Sequence, residues 1–352
     1  MNARGRVMLM ARMIDRSDSK PSDPKRWIRG RSQIGRVGLA VLILLTTLWG
    51  AAAIFWSNLP VALIRILIAI AFTAVGFWTL RMLAVRPRAR DRRVWLVFPL
   101  AFAIVWGWWL LIPPSHDRNW VEPQGRLPTI EIAGDRLIIS EYRDFRYDSD
   151  EKFCAVFRTR QLALSAIESA DLYLSRWSGS GRTAHTFVGF NVRDEEPVII
   201  SIEARLERGE SFGLIRSCFK QHELMYVVGS PRDVIGVRIQ HRGERVTRFR
   251  LRAAPEQVRS LLLAYAEEIN DLAAEPRWYH LLRNNCTTNI VRMAFPDRRR
   301  ARWDYRLLLN GLADRYAYDH GLIDDSMPFS RLRREAVVTR QDALLDPSRR
   351  QE

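Results

Sequence analysis

The chain has 352 residues, 47% of them hydrophobic, with 55 Lys+Arg against 39 Asp+Glu for a formal charge of +16, and three cysteines. So few cysteines exclude a disulfide-built scaffold. The charge is also not spread as on a nucleic-acid-binding domain, since residues 1–112 hold 17 basic against 4 acidic side chains while residues 113–352 hold 38 against 35, so no nucleic-acid partner is expected.

Residues 1–36 are rich in Arg, Ser, Asp and Pro, lack a sustained apolar period, and are predicted to be a disordered basic arm. Three apolar runs follow. Residues 37–56 and 94–112 carry no charge and residues 61–80 carry only Arg65, each about the length of a bilayer-crossing helix, which predicts a three-span anchor over 37–112. A cleaved signal peptide is the rival for the first run, but a basic arm of this length is long for the segment that precedes one. Arg65 lies near the outer end of its run, where snorkelling to the interface accounts for it. Basic residues crowd the arm and the loop 81–93, so both belong in the cytoplasm by the positive-inside rule. An odd number of crossings then places everything after Ile112 outside the cytoplasmic (inner) membrane.

The exported domain is expected over 113–330, with a charged tail, 331–352, that frays. Alternation over 129–139, broken at Ala133-Gly134-Asp135, predicts a β-hairpin. Leu162, Leu164, Ile167, Ala170, Leu172 and Leu174 predict an irregular helix over 161–174. Strands are predicted at 185–190, 198–204, 224–228, 234–239 and 246–251. From Pro255 the period changes to 3.6, with Val258, Leu261, Leu262, Tyr265, Ile269 and Leu272 on one helical face, and Cys286 opens a further helix that stops at Pro296. The order is that of an α+β domain with an antiparallel sheet followed by helices.

Chemistry concentrates at Asn284-Asn285-Cys286-Thr287-Thr288. Asn285 can cap the helix, and a thiol at a helix N-terminus feels the positive end of the dipole and the first-turn amides. A lone cysteine is commonly just a small buried side chain, but this polar helix start favours a nucleophile. His185, at the start of a predicted strand, is the candidate base, against the alternative of hydrogen-bonded scaffolding. On the next strand Ser201 and Glu203 share a face, and either can accept a hydrogen bond from the imidazole, the Glu203 carboxylate more strongly, so Glu203 is the candidate third catalytic residue. The plainer role for Glu203 is an ion pair with Arg205 beside it. The other histidines, His116, His222, His241, His280 and His320, form no metal spacing, and no phosphate-cradling loop or serine-nucleophile elbow is present, so neither metal nor cofactor is expected. Asp171, Arg232 and Asp233 are expected to be ion-pair residues. Cys154 and Cys218 are candidates for a disulfide, which would leave Cys286 as the free thiol.

The succession Ser115-His116-Asp117-Arg118-Asn119-Trp120, Tyr142-Arg143-Asp144-Phe145-Arg146-Tyr147, Ala184-His185-Thr186, Ser201-Ile202-Glu203-Ala204-Arg205 and Tyr279 through Thr288 resembles the Lnb N-terminal periplasmic domain family over about 113–328. His116 stands where that family more often has Asn. The resemblance implies a permuted papain-like (NlpC-type) thiol enzyme in which the histidine strand precedes the cysteine helix, with Cys286 as nucleophile and His185 as general base. It also implies acyl transfer through a cysteine thioester to a lipoprotein N-terminus.

The expectation is therefore a membrane-anchored periplasmic cysteine acyltransferase that takes its acyl chain from the phospholipid bilayer. Two alternatives stand beside it: a cysteine peptidase or amidase acting on cell-wall peptide, and a non-enzymatic envelope scaffold. A lipid-lined groove favours the first, a polar cleft the second, and a separated cysteine and histidine the third.

Overall fold

The computed structural model describes residues 24–57, 59, 61–85, 94–177, 183–294 and 304–340. The chain divides into two compact units, Met1–Leu111 and Ile112–Glu352.

The first unit contains α1 (Pro24–Phe55), α2 (Ala62–Val85) and α3 (Val94–Leu111). Small residues let α1 and α2 approach closely: a Cβ on Gly76 would lie 2.2 Å from Thr47 Oγ1. Trp49 and Trp109 meet edge to face at 5.2 Å between α1 and α3. Among the described residues two segments, Gln33–Phe55 and Ala62–Val85, are long and apolar enough to cross a bilayer, and only 28% and 22% of an 18-residue apolar stretch of each is buried. Apolar helices with that much exposed surface are suited to lipid rather than to a protein core. The three-span expectation is corrected to two. The third helix, α3, is shorter, and its 18 residues rise roughly 27 Å, less than a bilayer's hydrocarbon thickness. Counting crossings therefore no longer places the C-terminal unit outside. Helix α1 also begins at Pro24, inside the segment expected to be disordered. Residues 1–23, most of the basic loop (86–93), Pro296 and the tail beyond 340 lie outside the described residues.

The second unit is built on an eight-stranded sheet with strand order β1-β2-β9-β8-β7-β6-β10 and β5 paired to β2. The strands are β1 (Thr129–Ala133), β2 (Arg136–Arg143), β5 (Phe157–Ala163), β6 (Ile167–Arg176), β7 (His185–Val192), β8 (Val198–Arg205), β9 (Glu223–Gly229) and β10 (Arg245–Arg250), while β3 (Arg146–Tyr147) and β4 (Phe153–Cys154) pair separately. The expected hairpin at β1–β2 turns through Gly134, whose φ of +63° suits glycine. Pairing is antiparallel except between β2 and β9, so the sheet is mixed rather than antiparallel throughout.

Two expected elements change type. Residues 161–174 are strands β5 and β6 joined by a short 3-10 turn, Leu164–Ala166, whose three-residue step imitated a helical period between two alternating runs. Residues 234–239 belong to a π-turn, Arg232–Gly236, and to α4 (Val237–Gln240), where the consecutive Val234 and Ile235 and the nearby Val237 are all buried, which strand alternation does not allow on a one-sided strand.

The central strands are covered on both faces. On one, Val188, Phe190, Ile200, Ile202 and Tyr226 pack under α5 (Pro255–Ala274), whose Val258, Leu262, Tyr265, Ile269 and Leu272 are buried as the period predicted. On the other, Phe187, Ile199, Met225 and Val227 pack against Val234 and Ile235. Gly189 lets β6, β7 and β8 close up, since a Cβ there would stand 2.8 Å from both Tyr173 and Ile199. The remaining helices are α6 (Cys286–Ala294), α7 (Tyr305–Leu308), α8 (Ala313–Asp319) and α9 (Phe329–Glu335). Part of the tail expected to fray is thus folded, and Val338 N–H donates to Val246 O at 3.0 Å.

Candidate active site

Cys286 is the first residue of α6, and Asn285 caps the helix as its sequence suggested. Asn285 Oδ1 accepts from Thr288 N at 2.9 Å while Thr288 Oγ1 accepts from Asn285 N at 3.1 Å, a reciprocal capping box with threonine in the third position. The thiol is 2% exposed. Strand β7 meets this helix at its first residues: Thr186 Oγ1 and Thr287 Oγ1 are 2.8 Å apart, joining the residue after His185 to the residue after Cys286.

Burial works to raise the Cys286 pKa. The hydrogen bond and charge of His185, followed by bonds from Thr186, outweigh burial and bring it from 9.0 to about 6. Asn310 Nδ2–H also donates to Sγ at 3.4 Å. The structure therefore brings Cys286 and His185 together.

The hydrogen-bond chain behind the imidazole fixes its tautomer. Ser201 donates its single hydroxyl proton to Glu203 Oε1 at 2.9 Å, so at 2.6 Å from His185 Nε2 its oxygen must accept. Nε2 then carries a proton, and Nδ1 is the nitrogen left to exchange a proton with the thiol. Glu203 itself is 3.8 Å from Nε2, so of the two candidates Ser201 touches the ring and Glu203 stands one bond further back. The predicted Glu203–Arg205 pair is absent: Glu203 Oε1 accepts from Arg238 Nη2 at 2.9 Å, and Arg205 donates to the carbonyls of Gln124 and Gly125. Burial pushes the Glu203 carboxyl up, but Arg238, His185 and Arg143 outweigh it and hold the pKa at about 2. Arg238 is fixed in turn by Val234 O and lies 5.1 Å over the Phe187 ring.

Asn310 and Arg238 were missed. Asn310 lies in a run of leucines with no local signal, and Arg238 was assigned to a strand that is helical. Cys154, Cys218 and Cys286 are all free thiols, so the disulfide is not formed. Asp171, Arg232 and Asp233 do form ion pairs, with Arg250, Asp144 and Arg143. Among the described residues no group of three or more His, Cys, Asp or Glu could hold a metal ion.

Beside the pair lies a cavity of about 180 Å³ with a mainly apolar lining. Thr186 and Thr287 form part of its wall, together with Leu172, Leu261, Ile290 and Ala317.

Residues 154–311 match the family model of the Lnb N-terminal periplasmic domain. The match contains His185, Ser201, Glu203, Cys286 and Asn310, while the segments 115–120 and 142–147 lie before it. No curated protein and no solved structure matches the chain. The matched domain and the two apolar helices fit a membrane-associated protein with a periplasmic domain, and residues 154–311 are similar to the Lnb N-terminal periplasmic domain family.

Proposed function

We propose that this protein is a membrane-tethered thiol acyltransferase at the outer face of the inner membrane, passing an acyl chain from phospholipid to the N-terminal amine of a lipoprotein. The observation that carries the choice is the apolar cavity walled by Thr186 and Thr287, each one residue from the catalytic pair. Its roughly 180 Å³ accommodates a hydrocarbon segment of about six carbons or more, whereas a cell-wall peptide asks for polar anchors. The order of histidine strand before cysteine helix is the permuted order of papain-like enzymes and supports that fold for the domain.

In this mechanism His185 Nδ1 takes the Cys286 proton, and the thiolate attacks the ester carbonyl of the donor. The α6 first-turn amides stabilise the oxyanion. The carbon–oxygen bond breaks, the imidazolium returns its proton to the departing alkoxide, and a thioester remains on Cys286. The acceptor amine then attacks, with His185 taking its proton and the thiol leaving. The buried position of Sγ shields the thioester from water.

Intact mass measurement after incubation with a defined phospholipid tests this. Wild type should gain an acyl mass that hydroxylamine removes, Cys286→Ala should gain none, and Leu261→Trp, which fills the cavity, should lose long-chain donors while keeping short ones. No adduct on folded wild type, together with cleavage of cell-wall peptide, would establish the amidase alternative instead.

A further inference from the structure

Between β8 and β9 the chain leaves the sheet in a loop whose apolar side chains face outward. Phe212, Leu214 and Ile215 are 44%, 45% and 64% exposed, and Leu282 in a neighbouring loop is 54% exposed. The two loops are tied together: Leu281 N–H donates to Ser217 O at 3.1 Å, and Tyr279 N–H donates to His222 O at 2.9 Å. Both are also tied to one atom, the carbonyl of Ile112, which accepts from Lys220 Nζ at 3.0 Å and from Trp278 Nε1 at 3.4 Å. Ile112 is the residue directly after the apolar helix α3. Both loops are therefore held at the first residue of the second unit.

The charge of the patch is suited to a lipid surface. Arg208 and Arg283 are exposed, and Arg216 and Lys220 partly so. The nearby carboxylates are engaged: Glu207 pairs with Arg118, and Glu210 accepts from Gln221 and lies 3.5 Å from His222. Apolar tips inside a basic rim match an interface whose acyl region is overlain by anionic headgroups. Trp278, with an apolar body and a polar edge, suits the boundary between them.

We propose that the loops 208–220 and 280–283 form a membrane-seating surface, with Phe212, Leu214, Ile215 and Leu282 inserted into the outer part of an anionic bilayer. The second loop runs directly into Asn285 and Cys286, so the seat holds the nucleophile's helix start close to the lipid. This inference rests on attachment of the chain to a bilayer and not on the thiol chemistry.

The test uses the full chain in vesicles of mixed phosphatidylcholine and phosphatidylglycerol. In a Cys154→Ser, Cys218→Ser, Cys286→Ala background, single cysteines replacing Phe212, Ile215, Leu282 and, as a water-facing control, Glu131 receive a nitroxide. Thermal unfolding establishes that each labelled variant is folded. Accessibility to oxygen relative to a water-soluble nickel chelate should be several-fold higher at 212, 215 and 282 than at 131. Equal chelate access at all four positions would overturn the proposal. Shielding from both reagents with dipolar broadening would overturn it too, in favour of a second copy of the chain. Neither result depends on whether Cys286 transfers acyl groups.

Discussion

Replacing His185 by Ala removes the group that brings the Cys286 thiol down. Burial alone would hold that thiol above its ordinary 9.0, and His185 with Thr186 bring it to about 6. The difference favours the thiolate by about 4 kcal/mol. A thiol titrating at 9.0 is about 1% ionised at neutral pH, and one titrating at 6 is about 90% ionised. A single alkylation rate is a poor measure of this change. A more basic thiolate is the better nucleophile, and the roughly 100-fold loss in population shrinks to about fivefold in rate. The midpoint is the decisive quantity. It is read from ultraviolet thiolate absorbance, as the difference between the Cys154→Ser, Cys218→Ser protein and the same protein carrying Cys286→Ser. The expected midpoint is about 6 with His185 present and moves upward in His185→Ala. An unchanged midpoint in the histidine variant would assign the ionisation to the helix amides and Asn310, and would remove the base from the mechanism.

Three further outcomes follow from the same network. Ser201→Ala deletes the bridge between ring and carboxylate and leaves a 3.8 Å gap, so thioester formation should fall about tenfold to a hundredfold with Cys286 still alkylatable. A wild-type rate would make Ser201 a bystander. Arg238→Met leaves Glu203 without its cation and should cost on the order of 3 kcal/mol at neutral pH. Because the Glu203 pKa is depressed to about 2, its contribution is present above about 4.5 and is lost as the pH falls through about 2, so denaturation curves of wild type and variant should converge on acidification. A gap that stays constant with pH would rule out the charge pair as the cause. Asn310→Asp places a carboxylate where an amide now donates to sulfur at 3.4 Å and should raise the Cys286 midpoint in the same ultraviolet titration, more than Asn310→Ala does. An unchanged midpoint in both would separate Asn310 from the thiol.

What was legible in the chain was whatever local period and local capping encode. The run from Pro255 buried the residues its period named, and Asn285 capped the helix of Cys286. The β1–β2 hairpin was announced by its glycine turn. The errors arose where a short irregular element interrupted a period: the 3-10 turn between β5 and β6 made two strands resemble a helix, and the π-turn after Pro231 made a helix resemble a strand. The anchor was over-counted because composition alone does not register that the third helix is too short. At the site, the residue types His185, Cys286, Ser201 and Glu203 were identifiable, but the order of the relay was not. Two polar residues on one strand face look equivalent until the position of the ring decides that the hydroxyl is nearer. Asn310 and Arg238 reach the site from segments 24 and 35 residues away from the groups they touch, a relation that only the folded chain contains.

The hydroxyl bridge between Thr186 and Thr287 gives the cavity a second significance. The same two side chains join the strand of His185 to the helix of Cys286 and wall the apolar space. Occupancy of that space and alignment of the nucleophile are therefore linked equilibria: a hydrocarbon that fits better when the bridge is closed tightens it, and a closed bridge binds that hydrocarbon more strongly by the same factor. On the proposed acyl-transfer reading, such a linkage would poise the sulfur best once the acyl tail had entered the space.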